Sequence, residues 1–132
     1  MARADSTAAA LWHALVGAVQ SGDLDKARAL VTDDFEWQVM GRFPYAGHHH
    51  GVEGLAALLK GVRDESGGSF QLTPELSFGD DEAAVVVGHV TATRAGKTLD
   101  GDNVFIVRCE DGRIRRGMTI PVDQYAYDEF WE

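Results

Sequence analysis

The side chains best placed to do chemistry are few, and each sits in a telling context. His89 stands inside Val85-Val86-Val87-Gly88-His89-Val90, an apolar run in which an imidazole needs a hydrogen-bonding partner. Such a ring would serve as a proton carrier; the alternative is a histidine satisfied by a neighbouring strand or exposed on the outer face of a sheet. Asp102 and Asn103 are adjacent, so in a strand they point to opposite sides. Phe105, Val107 and Cys109 share the parity of Asn103, which favours Asn103 inward. A bulge would reverse that choice and set Asp102 among apolar groups, where desolvation raises a carboxyl pKa and suits it to donate a proton. The alternative for Asp102 is an exposed acid in the turn Leu99-Asp100-Gly101-Asp102. His48-His49-His50 invites a metal, but consecutive loop histidines diverge and no Asp, Glu or Cys lies at helical ligand spacing beside them. No metal is expected. Cys109, in Val107-Arg108-Cys109-Glu110, reads as a small buried hydrophobe at a strand end rather than a nucleophile.

The elements that must position these groups follow from hydrophobic period. Asp5 or Ser6 is placed to cap a first helix whose Leu11, Trp12, Leu15, Val16 and Val19 form one apolar face, and Ser21-Gly22 ends it. Asp23 caps a shorter helix through Leu24, Ala27, Leu30 and Val31, broken by Thr32-Asp33-Asp34. Phe35 to Met40 begins with the alternation of a half-buried strand and enters a loop from Gly41 to Gly51 that would form a lid or rim with Phe43 and Tyr45. A third helix carries Val52, Leu55, Ala56, Leu59 and Val62 on one side. Then residues 69–78, 82–94, 97–110 and 113–122 read as four strands in a meander, separated by Gly79-Asp80-Asp81, Ala95-Gly96 and Asp111-Gly112. Helices first and hairpins afterwards is the order of an α+β fold. A long twisted sheet that a few helices cannot fill implies a cavity between the layers.

Composition narrows the partners. A formal charge of -9 repels nucleic-acid phosphates and anionic membrane surfaces, so neither is expected as a partner. The single cysteine excludes an intrachain disulfide and fits a reducing cytoplasm. No stretch approaches the roughly 20 apolar residues of a membrane span, and the N-terminus lacks the clean apolar core of a signal peptide. One domain spanning residues 1–132 is expected.

The chain resembles the SnoaL-like polyketide cyclase and ketosteroid isomerase group of the nuclear transport factor 2-like superfamily over nearly its full length. The resemblance rests on Ser21-Gly22-Asp23-Leu24-Asp25, on Leu30 to Trp37, on Pro44-Tyr45-Ala46-Gly47 followed by Gly51-Val52-Glu53-Gly54-Leu55, and on Val104 to Arg108 with Glu110 to Ile114. It implies a cystatin-like cone, with N-terminal helices packed on a strongly curved antiparallel sheet around a pocket. The ketosteroid isomerase base position falls on Val39 and the oxyanion-hole tyrosine position on Leu15, so that mechanism is not expected. In epoxide hydrolases of similar architecture the paired Asp and Arg fall on His89 and Thr91, leaving an incomplete triad. SnoaL-like cyclases resemble the chain best, and the resemblance points to Asp123 and Asn103, although Pro121 interrupts the last strand.

The preferred expectation is therefore an isomerase, cyclase or lyase acting on a small hydrophobic carbonyl compound without a cofactor. Asp123 or Asp102 would move a proton, and His89 or Asn103 would orient the substrate carbonyl. Trp12, Trp37, Met40, Tyr45, Leu59, Phe105 and Met118 are the expected pocket lining. From a different class, a non-catalytic ligand-binding or interaction domain keeps the pocket without chemistry, and Val39 at the base position speaks for it. The aromatic C-terminus, Tyr125 to Trp131, would fold back over the pocket or meet a second subunit. Val104 and Ile106, opposite in parity to Phe105 and Val107, imply a covered outer sheet face and a homodimer.

Overall fold

A computed structural model describes residues 6–132; Asp5 lies outside the described residues, and Ser6 is the observed cap. Its hydroxyl accepts from the Ala9 amide at 3.2 Å and donates to the Asp80 carbonyl at 2.5 Å, so the same residue starts the first helix and ties it to the sheet. The order is α1 (Thr7–Gln20), α2 (Leu24–Ala29), β1 (Val31–Val39), β2 (Gly47–His50), α3 (Gly51–Glu65), β3 (Gln71–Gly79), β4 (Ala83–Arg94), β5 (Lys97–Glu110), β6 (Arg113–Pro121) and α4 (Gln124–Trp131).

The four-strand meander is present as β3 to β6, and two more strands extend it to a six-stranded sheet in the order β2-β1-β6-β5-β4-β3. The sheet is not antiparallel throughout: β1 runs parallel to β6, with Trp37 opposite Gly117 and Val39 opposite Thr119. The helices α1 and α3 lie across one face. Trp12 and Leu15 of α1, Leu55 and Leu58 of α3, and Val86, Phe105 and Val107 of the sheet are all buried between the layers. Gly117 is required there, because an added Cβ would fall within the Trp37 ring.

Two further expectations need correction. Val31, assigned to the second helix, begins β1 instead, since Leu30 already caps α2 and the β-branched side chain packs into the sheet. The histidine triplet lies in a strand, β2, and not in a loop. Strand alternation sends His48 and His50 to the same side, where their Nδ1 atoms stand 2.8 and 3.5 Å from the Glu36 carboxylate, while His49 Nε2 meets the Tyr45 carbonyl at 2.8 Å. The hydrogen bond from His48 holds the Glu36 carboxyl below its ordinary pKa.

The aromatic C-terminal segment folds back onto the rest of the chain as the helix α4. Asp123 caps α4 by accepting from the Ala126 amide at 3.1 Å. At its other end Arg94 donates to the Phe130 and Glu132 carbonyls at 3.0 and 2.6 Å, and Lys97 to Glu129 at 2.7 Å, two cations where the helix dipole is negative. Tyr127, Phe130 and Trp131 are buried on the inward face, with Phe43 in edge-to-face contact with Tyr127 at 5.3 Å.

Candidate functional site

Between α1, α3, the concave side of the sheet and α4 lies a cavity of about 580 Å³, within the range of small-molecule sites. Its walls are mainly apolar. Trp12 and Val16 come from α1, Leu55 and Leu59 from α3, Trp37 and Val39 from β1, Phe105 from β5 and Leu72 from β3. Trp12 and Phe105 lean on each other with ring centroids 5.1 Å apart.

The buried polar atoms of the lining come from the sheet and from the helices α1 and α4. Asn103 is 1 % exposed, and among the described residues its Oδ1 has no hydrogen-bond partner; the same holds for the indole Nε1 of Trp12. An unpaired buried donor or acceptor costs about 1–3 kcal/mol relative to a satisfied one, so the Asn103 acceptor and the Trp12 donor both favour a ligand that supplies the missing partner. Tyr127 contributes a phenol from α4. Burial pushes its hydroxyl above the ordinary tyrosine pKa, and interactions with Asn103 and Trp131 oppose that rise. The phenol is thus a neutral donor and acceptor at physiological pH. Thr119 already has a partner, its hydroxyl accepting from Trp37 Nε1 at 2.8 Å.

Of the residues expected to act or to bind, Trp12, Trp37, Leu59, Asn103 and Phe105 line this cavity. The others do not. Tyr45 lies over Gly61 of α3, where it would collide with any added Cβ. Met40 is 38 % exposed past the end of β1, and Met118 has the opposite parity to Thr119, which turns it to the outer face. Asp123 is exposed and caps α4.

His89 and Asp102 also lie outside the cavity. They are cross-strand partners on the outer face of β4 and β5, because Gly88 and Asn103 hold the inward positions. His89 Nδ1 is 3.0 Å from Asp102 and Nε2 is 2.6 Å from Asp100, so both ring nitrogens have carboxylate partners. The Asp102 hydrogen bond, aided by Asp100 and opposed by partial desolvation, raises the His89 pKa above its ordinary value of 6.5. Glu75, on the β3 bulge, completes a cluster whose ligand-type atoms lie within 4.8 Å of one another. This is an exposed ion-pair group, the satisfied outer-face histidine that the sequence left as one alternative. Cys109 is half-buried, and burial pushes its thiol pKa up, against a nucleophilic role.

Sequence reasoning missed Tyr127. The signal was available: Asp123 as a cap, then Tyr127, Phe130 and Trp131 at helical spacings of three and four.

With this geometry in view, the comparisons with known proteins are informative. A family model described as a SnoaL-like domain matches residues 12–117. An uncharacterized protein of Mycobacterium tuberculosis is 31% identical over 111 residues, covering 83% of this chain and 85% of that protein. Among solved structures, Bal32a from a soil-derived mobile gene cassette superposes with a TM-score of 0.83 at 30% identity, covering 96% of this chain and 97% of that one. A nuclear transport factor 2-like protein from Burkholderia xenovorans superposes with a TM-score of 0.79 at 23% identity, covering 96% of each chain, and carries the fold comparison alone.

Proposed function

The chain belongs to the family of SnoaL-like domains, and from that premise we propose that it binds a small, largely apolar organic molecule that donates a hydroxyl to Asn103 Oδ1 and offers a hydroxyl or carbonyl to Tyr127. The observation that carries this reading is the lining itself: an apolar cavity whose buried polar tips are neutral, with no carboxylate among the described lining residues. An isomerase, cyclase or lyase driven by a carboxylate needs Asp123 or Asp102 at the substrate, and both stand outside the cavity. Binding without proton transfer is therefore the function favoured here. A protein with one half-buried cysteine and no partner thiol suits a reducing cytoplasm.

The test is a thermal-shift screen of hydrophobic ketones and alcohols, followed by calorimetry on the hits. Asn103→Leu is expected to weaken a hit about tenfold, the worth of one buried hydrogen bond, while the melting temperature of the free protein holds. Consumption of the hit by the wild type but not by Asp123→Asn would overturn the binding reading in favour of an enzyme.

We also propose a second copy of the chain on the outer sheet face. Val87, Val104, Ile106, Met118 and Ile120 are only partly covered there, and Leu76 and Phe78 are 56% and 40% exposed. One end of the patch carries Arg108 and Arg116, the other Asp100 and Asp102. A two-fold axis running across the strands sets each basic end over the partner's acidic end. Sedimentation should give a dimer that Ile106→Asp converts to monomer; a monomeric wild type at micromolar concentration sinks this reading.

A further inference from the structure

The cavity is lined on one side by exposed residues of the α1–α2 turn (Gln20, Ser21, Gly22) and the edge of α3, and the charged residues that line it are both cations. Lys60 and Arg63 are the only charged members of the lining among the described residues, in a chain whose formal charge is -9. With Ala56 they follow one another at spacings of four and three along α3, beside the apolar stripe of Leu55, Leu59 and Val62. Both residues belong to the lining while their side chains remain 68% and 64% exposed, so their cationic ends are in solvent within reach of the cavity rim. Resting on the binding reading above, we propose that the ligand is an amphipathic anion: its apolar body fills the cavity, its polar tip meets Asn103 and Tyr127, and a carboxylate at its outer end pairs with Lys60 and Arg63.

The present partner of these cations is weakly held. Lys60 Nζ pairs with Asp64 at 2.6 Å, but both side chains are more than half exposed, and Arg63 Nε reaches the same carboxylate only at 3.8 Å. Exposed ion pairs of this kind contribute little to stability, so a ligand carboxylate anchored by a buried apolar body displaces or joins Asp64 at little cost. The depth ordering also fixes orientation. A neutral polar end goes to the closed, dry side of the cavity, and the charged end stays hydrated at the mouth, because burying an unpaired carboxylate is far costlier than burying a paired carbonyl.

The probe is a matched pair, a butyrate bearing a hydroxynaphthyl group whose hydroxyl is the polar tip, and its primary amide, titrated calorimetrically into the full chain at low and high salt. The acid is expected to bind about tenfold more tightly than the amide at low salt, with the preference shrinking as salt rises. In the Lys60→Gln/Arg63→Gln double variant the ratio of acid to amide affinity should collapse toward unity, with its salt dependence lost. Equal binding of acid and amide by the wild type, or an unchanged preference in the double variant, overturns the anion proposal and leaves the binding reading standing. If neither probe binds the wild type, both readings fail together.

Discussion

On the two faces of β4 and β5 lie two polar side chains, His89 outside and Asn103 inside, with opposite fates. On the outer face His89 is held by two carboxylates at 2.6 and 3.0 Å, half in solvent. On the inner face Asn103 is 1 % exposed and its carbonyl oxygen has no partner among the described residues. A group whose hydrogen bonds are already made has little left to offer a ligand, whereas a buried group with an open valence is poised to accept one. The histidine attracts attention in the sequence; the asparagine faces the cavity.

The contrast can be broken most severely from the inside. Gly117→Val would drive a side chain into the Trp37 ring, and the loss of stability should reach about 3 kcal/mol, the upper end of overpacking costs, read from chemical denaturation. A variant as stable as the wild type would mean the concave layer is far looser than it looks. Next in size is Thr119→Val, which leaves the buried Trp37 indole without its acceptor and should cost about 1–3 kcal/mol in the same assay. The smallest effect belongs to the outer face. Because the folded-state pKa of His89 is raised, its ion pairs contribute fully below the unfolded pKa of about 6.5, and that contribution is lost as pH rises through the folded value. Melting temperatures of wild type and His89→Ala should therefore differ most in mildly acidic buffer and converge in alkaline buffer. The opposite trend, or an NMR titration of His89 at or below the ordinary value, would contradict the ion-pair account.

How much was legible beforehand depended on whether the signal was local. The meander from β3 to β6 was readable because alternation and short Gly-containing turns are properties of neighbouring residues. The inward parity of Asn103 was readable from Phe105 and Val107. That of His89 was not, because Val85 and Val87 on its own face are as apolar as Val86 and Val90 on the other, and in a sheet covered on both sides alternation loses its meaning. The strand β2 and the parallel pairing of β1 with β6 depend on contacts between distant segments and left no trace in periodicity. Asp123 drew attention through family likeness at a position where its carboxylate serves a helix start.

The parallel pairing of β1 with β6 has a kinetic consequence. Trp37 and Thr119, bonded across that pair, are 82 residues apart in the chain, whereas each hairpin of the meander closes through a short turn. Loop-closure entropy favours assembling the hairpins first and docking β1, with the helices around it, onto a sheet already built. That order predicts that the cavity comes into being in the last stage, with the main barrier already crossed. A bound molecule that joins α3 to β5 stabilises contacts absent from the transition state, so saturating ligand should slow unfolding and leave the refolding rate unchanged in stopped-flow experiments.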